Sequence, residues 1–219
     1  MFSVLFPGQG SQSVGMAKEL YDNFDYVKDL FNEADDTLNL SISKLIFEGP
    51  KELLDQTENT QPAIFLVSYS IFNVIKKETT FDISNANYFA GHSLGEYSAL
   101  ACANVINFKE TIKLLKIRGN AMQNAVPNNE GGMVAVLGES IENIEQIIQN
   151  DKNKFKCFLA NDNSNGQVVL SGKIDDIDKF INVLKELKIK NIKLPVSAPF
   201  HCPLMNSATK IMNKELNQT

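Results

Sequence analysis

The chain has 219 residues, 43% of them apolar and 21% charged, with a formal net charge of -5. That is enough chain to bury a core, and its acidic balance offers no basic face for nucleic acid. The longest apolar stretch, Ala63 to Phe72, is broken by serines and too short to cross a bilayer.

Ser3–Phe6 reads as a short buried strand that lacks the basic start of a secretory signal. A loop of turn formers follows at once, Pro7-Gly8-Gln9-Gly10-Ser11-Gln12. Helical patterns then cover Met16–Tyr21, Tyr26–Leu38 and Gln61–Lys77. Tyr88-Phe89-Ala90 suggests a second buried strand ending at Gly91, and Ser93–Ala103 a buried helix. The next helix is expected to open at Asn107, with Glu110 three residues on reaching back as a capping box, and to end near Val126-Pro127. Asn128-Asn129-Glu130-Gly131-Gly132 reads as a linker. Beyond it the order becomes strand (Met133–Leu137), helix (Ile141–Ile148), strands (Lys156–Ala160 and Gln167–Leu170), helix (Asp175–Leu187) and strand (Asn191–Leu194). This β-α-β-β-α-β order is the ferredoxin-like one. Three widely spaced cysteines, Cys102, Cys157 and Cys202, fit neither a disulfide framework nor a zinc knuckle, and a soluble, cytoplasmic protein is expected.

Gly91-His92-Ser93-Leu94-Gly95 matches the G-x-S-x-G nucleophile elbow, and it lies where that motif must, after a strand and before a helix. Glycines flank the serine because a sharp turn leaves no room for a Cβ on either side, and the helix start supplies amides for an oxyanion. The plainer reading is a tight turn with a capping serine. A serine hydroxyl needs a base, and the chain has only two histidines, His92 and His201. His92 adjoins Ser93, where the turn sends neighbouring side chains apart. That leaves His201, held between Pro199 and Pro203, as the partner of Ser93, against a purely structural histidine. Basic charge comes from 20 lysines and one arginine, Arg118. Lysine cannot copy the planar two-pronged guanidinium, although one arginine can also survive by chance.

Several segments together closely resemble the malonyl-CoA:acyl carrier protein transacylases. They are Phe6-Pro7-Gly8-Gln9-Gly10-Ser11-Gln12, Gly91-His92-Ser93-Leu94-Gly95-Glu96-Tyr97, Ile117-Arg118-Gly119 with Met122-Gln123, Ala160-Asn161-Asp162-Asn163, Gln167 to Gly172, and Pro199-Phe200-His201-Cys202. The resemblance runs from Phe2 almost to the last residue. It implies an α/β, hydrolase-like acyltransferase domain with a parallel sheet, built from residues 1–128 and 196–219, and a ferredoxin-like subdomain over 129–195. It implies Ser93 as acylated nucleophile, His201 as base, the backbone amides of Gln9 and Leu94 as oxyanion hole, and Arg118 as ligand of the malonyl carboxylate. His92 would help line the malonyl end of the pocket. Asn161, opening a turn between two strands, would either face the site or make an Asx-turn.

The implied reaction passes malonyl from malonyl-CoA to Ser93, and then to the phosphopantetheine thiol of acyl carrier protein in fatty acid biosynthesis. No metal or redox cofactor is called for, and a monomer is expected for a full-length member. An acidic carrier protein would dock on a lysine patch to which Lys113, Lys116 and Lys190 could contribute, although such lysines also suit a solvated face. Phe200 before His201 hints at malonyl over methylmalonyl. Members of the family continue past Thr219, and the further segment supplies the group that orients the histidine, so this chain is read as a C-terminally truncated member. Two other readings stay open. One is a serine esterase or thioesterase, with Asp162, Asp175, Asp176 or Asp178 as acidic partner. The other is an inactive remnant that only binds carrier protein.

Overall fold

The computed structural model describes residues 1–127, 129–150, 155–196 and 198–219. Asn128, the expected domain boundary, and Ser197, beside the second junction, lie outside the described residues. The chain forms two compact units, one of Met1–Asn120 with Met212–Thr219 and one of Ala121–Ile211.

The first unit begins with β1 (Ser3–Phe6), then α1 (Lys18–Asn23), α2 (Asp25–Leu38), α3 (Ile42–Glu48), α4 (Lys51–Leu54) and α5 (Thr57–Glu78). It continues with β2 (Tyr88–Gly91), α6 (Gly95–Cys102) and α7 (Phe108–Gln123). β1 and β2 pair in parallel, from Ser3 opposite Tyr88 to Phe6 opposite Gly91. A parallel pair needs a long crossover, and here helices supply it. The core gathers Val27, Phe31 and Ala34 of α2 with Ile42 and Ile46 of α3. Residues 63–67 of α5 join it, with Ile112 and Leu115 of α7.

The periodicity misses α3 and α4. They have seven and four residues, too short for an amphipathic window, and α3 holds its place by burying Ile42 and Ile46. The start of α5 lies four residues before the expected Gln61. Thr57, Asn59 and Thr60 are buried polar residues, which a pattern search reads as loop. Two of them secure the turn between α4 and α5. Thr60 Oγ1 donates to the carbonyl of Leu54 at 2.6 Å and Asn59 Nδ2 to that of Leu53 at 3.0 Å.

The expected cap of α7 forms in a modified way. The Glu110 amide donates to Asn107 Oδ1 at 2.9 Å, and Asn107 Nδ2 donates to Glu110 Oε2 at 2.7 Å. The carboxylate thus meets the cap's side chain. The helix closes at Gln123, ahead of Val126-Pro127.

The second unit carries β3 (Gly131–Leu137), α8 (Ile141–Asn150), β4 (Cys157–Ser164), β5 (Gln167–Lys173), α9 (Ile174–Glu186), β6 (Lys190–Lys193) and most of α10 (Asn206–Leu216). The sheet order is β4-β5-β3-β6, antiparallel throughout, which is the ferredoxin-like arrangement. Val134 and Val136 face Ile144 of α8 and Ile177 and Phe180 of α9. On the opposite face Met133, Ala135 and Val169 pack with Ala121, Met122, Ala198, Phe200, Met205 and Ala208. That second cluster is why residues 121–127 and 196–211, given to the large domain by the sequence reading, fall within this unit.

One expectation is corrected. Asn161 opens no turn; it lies inside β4, opposite Val169, at a bulge that follows Leu159. The chain reverses instead at Asn165-Gly166, where Gly166 takes a φ of 87°. The polar run 161–164 passes as strand because β4 is an edge strand whose outer end is exposed.

Candidate active site

Ser93 sits between the end of β2 and the start of α6 with φ at 54°, a region that side chains other than glycine seldom occupy. Strain held at such a turn is the signature of a nucleophile elbow. A Cβ added to Gly91 would lie 1.9 Å from the carbonyl carbon of Gly95, and one added to Gly95 would lie 2.5 Å from the Phe6 oxygen. Both obstacles are backbone and cannot give way, which is the physical reason for glycine at each flank. The His92 amide extends the ladder to the Phe6 carbonyl at 3.0 Å, while the Gly95 amide closes the turn onto the His92 carbonyl at 2.9 Å.

Arg118 approaches this serine from α7. Its Nη2 donates to Ser93 Oγ at 3.0 Å and its Nη1 to Gln61 Oε1 at 2.6 Å. The guanidinium carbon lies 5.7 Å from the centre of the Tyr97 ring. Gly119 makes the approach possible, since a Cβ there would stand 2.5 Å from Glu58 Cα and 2.7 Å from the Thr57 oxygen at the start of α5. Burial pushes the Arg118 pKa down, with Tyr97 and Glu96 acting in the opposite sense, and the group stays charged at any ordinary pH. Among the described residues no carboxylate pairs with it. A partly buried cation whose direct hydrogen-bond partners are neutral oxygens is poorly compensated.

The loop after β1 carries Gln9, whose Oε1 accepts from Thr57 Oγ1 at 2.7 Å; Thr57 in turn accepts from Gln61 Nε2 at 3.2 Å. The loop is braced by Gly10 donating to Gln12 Oε1 at 2.8 Å and by Ser11 Oγ donating to the Gly8 carbonyl at 2.9 Å. His92 packs on the same loop, and a Cβ on Gly8 would come within 2.5 Å of its Nδ1. Leu94 is buried at the entry to α6, where first-turn amides have no partner within the helix. Ser93, Arg118, Gln9, Leu94 and His92 therefore all belong to the first unit. The sequence reading missed Gln61 and Thr57, and it gave Tyr97 no role. The one available signal was the polar group Thr57, Asn59, Thr60, Gln61 opening an otherwise apolar helix.

His201 belongs to the second unit and also has a left-handed backbone, with φ at 57°. Its loop is fixed by close packing. A Cβ on Gly131 would lie 2.1 Å from Pro199 Cδ, so only glycine lets the proline in. The Phe200 amide donates to the Ala198 carbonyl at 3.1 Å, Cys202 Sγ donates to the Pro199 carbonyl at 3.1 Å, and Phe200 itself is buried. The acidic partners weighed for a hydrolase have other engagements or positions. Asp178 pairs with Lys193 at 2.5 Å and Asp176 with Lys179 at 3.6 Å. Asp175 lies in the first turn of α9, and Asp162 is exposed on β4. Among the described residues no group of three His, Cys, Asp or Glu side chains could hold a metal ion.

A family model described as an acyl transferase domain matches residues 4–219. The chain belongs to the acyl transferase family. A malonyl CoA-acyl carrier protein transacylase of Bacillus subtilis strain 168 is 41% identical over 215 residues, covering 97% of this acyltransferase and 67% of the relative. The crystal structure of a malonyl CoA-acyl carrier protein transacylase from Clostridium perfringens matches with a TM-score of 0.92 and 41% identity, over 100% of this chain and 68% of that one. A malonyl-transacylase solved in complex with its type II polyketide acyl-carrier protein matches with a TM-score of 0.92 and 38% identity, over 99% and 69%. The acyltransferase thus spans about two thirds of each relative's length.

Proposed function

We propose that this acyltransferase moves a malonyl group from malonyl-CoA to the phosphopantetheine thiol of an acyl carrier protein, by way of a malonyl-serine ester. The observation that carries the reading is Arg118, a partly buried guanidinium with neutral hydrogen-bond partners and one donor on Ser93 Oγ. A carboxylate at the far end of a short acyl group supplies the missing charge, and the fork matches its two oxygens. Acyl groups without that charge gain nothing there.

Ser93 Oγ attacks the thioester carbonyl while His201 takes its proton. The carbonyl oxygen becomes an oxyanion held by the amides of Gln9 and Leu94. The C–S bond breaks, and coenzyme A leaves as a thiol with the proton returned by His201. In the second half the carrier thiol attacks the ester carbonyl, His201 takes the thiol proton, and Ser93 leaves with it. Both halves are substitutions at an acyl carbon, so the proposed chemistry calls for no metal or redox cofactor. His92, packed on the glycine loop, lines the same end of the pocket.

The proposed partner follows from the carrier-protein names of the relatives and from the solved complex. Lys116 is held by Asn59 Oδ1 at 3.0 Å and Glu58 at 3.8 Å, which leaves Lys113 the more open contributor from α7 to a docking patch. Fatty acid synthesis, a cytoplasmic location, a monomeric full-length protein and the division into a hydrolase-like domain and an insert belong to the same proposal. No helix among the described residues is long and apolar enough to cross a membrane. A mass spectrum after incubation with malonyl-CoA tests the reading. A stable malonyl adduct on Ser93 supports it, rapid release of free malonate supports a thioesterase, and neither supports a chain that only binds carrier protein.

A further inference from the structure

We propose that Thr57 is a positioning residue that ties the Gln9 loop to Arg118, so that a carboxylate arriving at Arg118 is felt at the oxyanion side of the site. The inference rests on the reading of Arg118 as the carboxylate ligand. Four side chains lie in line: Arg118 Nη1 donates to Gln61 Oε1, Gln61 Nε2 to Thr57 Oγ1, and Thr57 Oγ1 to Gln9 Oε1.

Chemistry sets the direction of this chain at its Arg118 end. A guanidinium has donors only, so Gln61 must turn its oxygen toward it and its amide nitrogen toward Thr57. A hydroxyl has one proton, and with its oxygen accepting from Gln61 that proton goes to Gln9. The link from Arg118 to Gln61 cannot be reversed without setting two donors face to face. Thr57 and Gln61 are 2% and 1% exposed, so water cannot replace a lost partner.

Nor does Thr57 act as an ordinary helix-start threonine. It is the first residue of α5, no side chain caps that helix, and its hydroxyl reaches a residue 48 positions away. Its backbone oxygen is pressed against Gly119, next to Arg118, so the relay is anchored at both ends. A carboxylate at Arg118 competes for donors that now serve Gln61 and Ser93, and any turn of the guanidinium passes through the Gln61 amide to Thr57 and Gln9.

The test uses Thr57→Val, which keeps the shape and removes the hydroxyl, beside Thr57→Ser, which keeps it. Side-chain amide resonances of Gln9 and Gln61 and the Arg118 Nε resonance are followed by nitrogen-15 NMR while sodium malonate is added. In the parent and in Thr57→Ser, malonate should shift all three. In Thr57→Val it should shift Arg118 and Gln61 and leave Gln9 unmoved. The malonyl-CoA specificity constant should fall roughly 10-fold in Thr57→Val and stay within about 2-fold in Thr57→Ser. A Gln9 resonance that still follows malonate in Thr57→Val, or that stays still in the parent while Arg118 moves, overturns the relay. If malonate leaves Arg118 unmoved in the parent, the carboxylate reading fails separately. The relay then stands or falls on whether Thr57→Val, without ligand, shifts Arg118 Nε while Thr57→Ser does not.

Discussion

Arg118 Nη2 stands 3.0 Å from Ser93 Oγ and donates to it, so the guanidinium occupies a lone pair of the proposed nucleophile. On the proposed reading, a substrate carboxylate would compete for that donor, neutralising Arg118 and freeing the serine oxygen. Losing one side of a buried charge pair costs ~3–5 kcal/mol, roughly 10²- to 10³-fold in transfer. Arg118→Ala should therefore cut malonyl transfer by about that factor while sparing or raising acetyl transfer. Specificity constants for malonyl-CoA and acetyl-CoA on one preparation decide the matter, and equal losses would make Arg118 a structural residue.

The elbow separates chemistry from folding. Ser93→Ala should abolish acyl-enzyme formation and change stability by no more than ~1 kcal/mol, the scale of a lost helix-start hydroxyl. Gly91→Ala should destabilise by ~3 kcal/mol or more, because its methyl would meet the backbone of Gly95 at 1.9 Å. Denaturant titration of the two variants measures the contrast. A Ser93→Ala chain that still takes label from malonyl-CoA would remove Ser93 from the mechanism.

The two histidines differ in setting, His92 against the Gly8 loop and His201 in a left-handed turn beside Pro199. His201→Ala should slow acylation by ~10²- to 10⁴-fold, the usual share of a general base. His92→Ala should do much less. Single-turnover rates compare them, and the reverse ranking would exchange their roles.

Thiol chemistry reads the two cores. Burial pushes the thiols of Cys102 and Cys157 up to about 12 from an ordinary 9.0. Both stay protonated and shielded near neutral pH, so a maleimide should label Cys202 quickly and the other two only on unfolding. The raised values also bear on stability. Their contribution is complete below about pH 9 and is lost as pH rises from there toward about 12. Denaturation midpoints that stay flat across that window would contradict the burial of these thiols.

Much of this was legible in the sequence, and unevenly so. Gly91 and Gly95 announced the elbow because only glycine fits two backbone collisions, and that constraint leaves a mark at fixed spacing. The continuous apolar run of β3 and the face of Ile177, Phe180, Ile181 and Leu184 in α9 gave the insert its order of elements. Thr57 and Gln61 gave no such sign. A buried amide or hydroxyl draws its meaning from partners 48 and 57 residues away, and no local pattern encodes them. Asn161 misled for a related reason. Polar residues on an exposed edge strand look like a turn until the pairing with β5 is known.

The unbalanced charge of Arg118 also bears on how the protein folds. Partial burial of a guanidinium whose hydrogen-bond partners are neutral opposes the folded state until an anion reaches it. Replacing Arg118 by methionine should end discrimination between acyl groups. Any anion that fits the fork should raise the unfolding midpoint, since a ligand bound only by the native state adds stability in proportion to the logarithm of its concentration. In the cell, the acyltransferase would then be most robust when its donor is plentiful, so that substrate supply and protein lifetime rise and fall together.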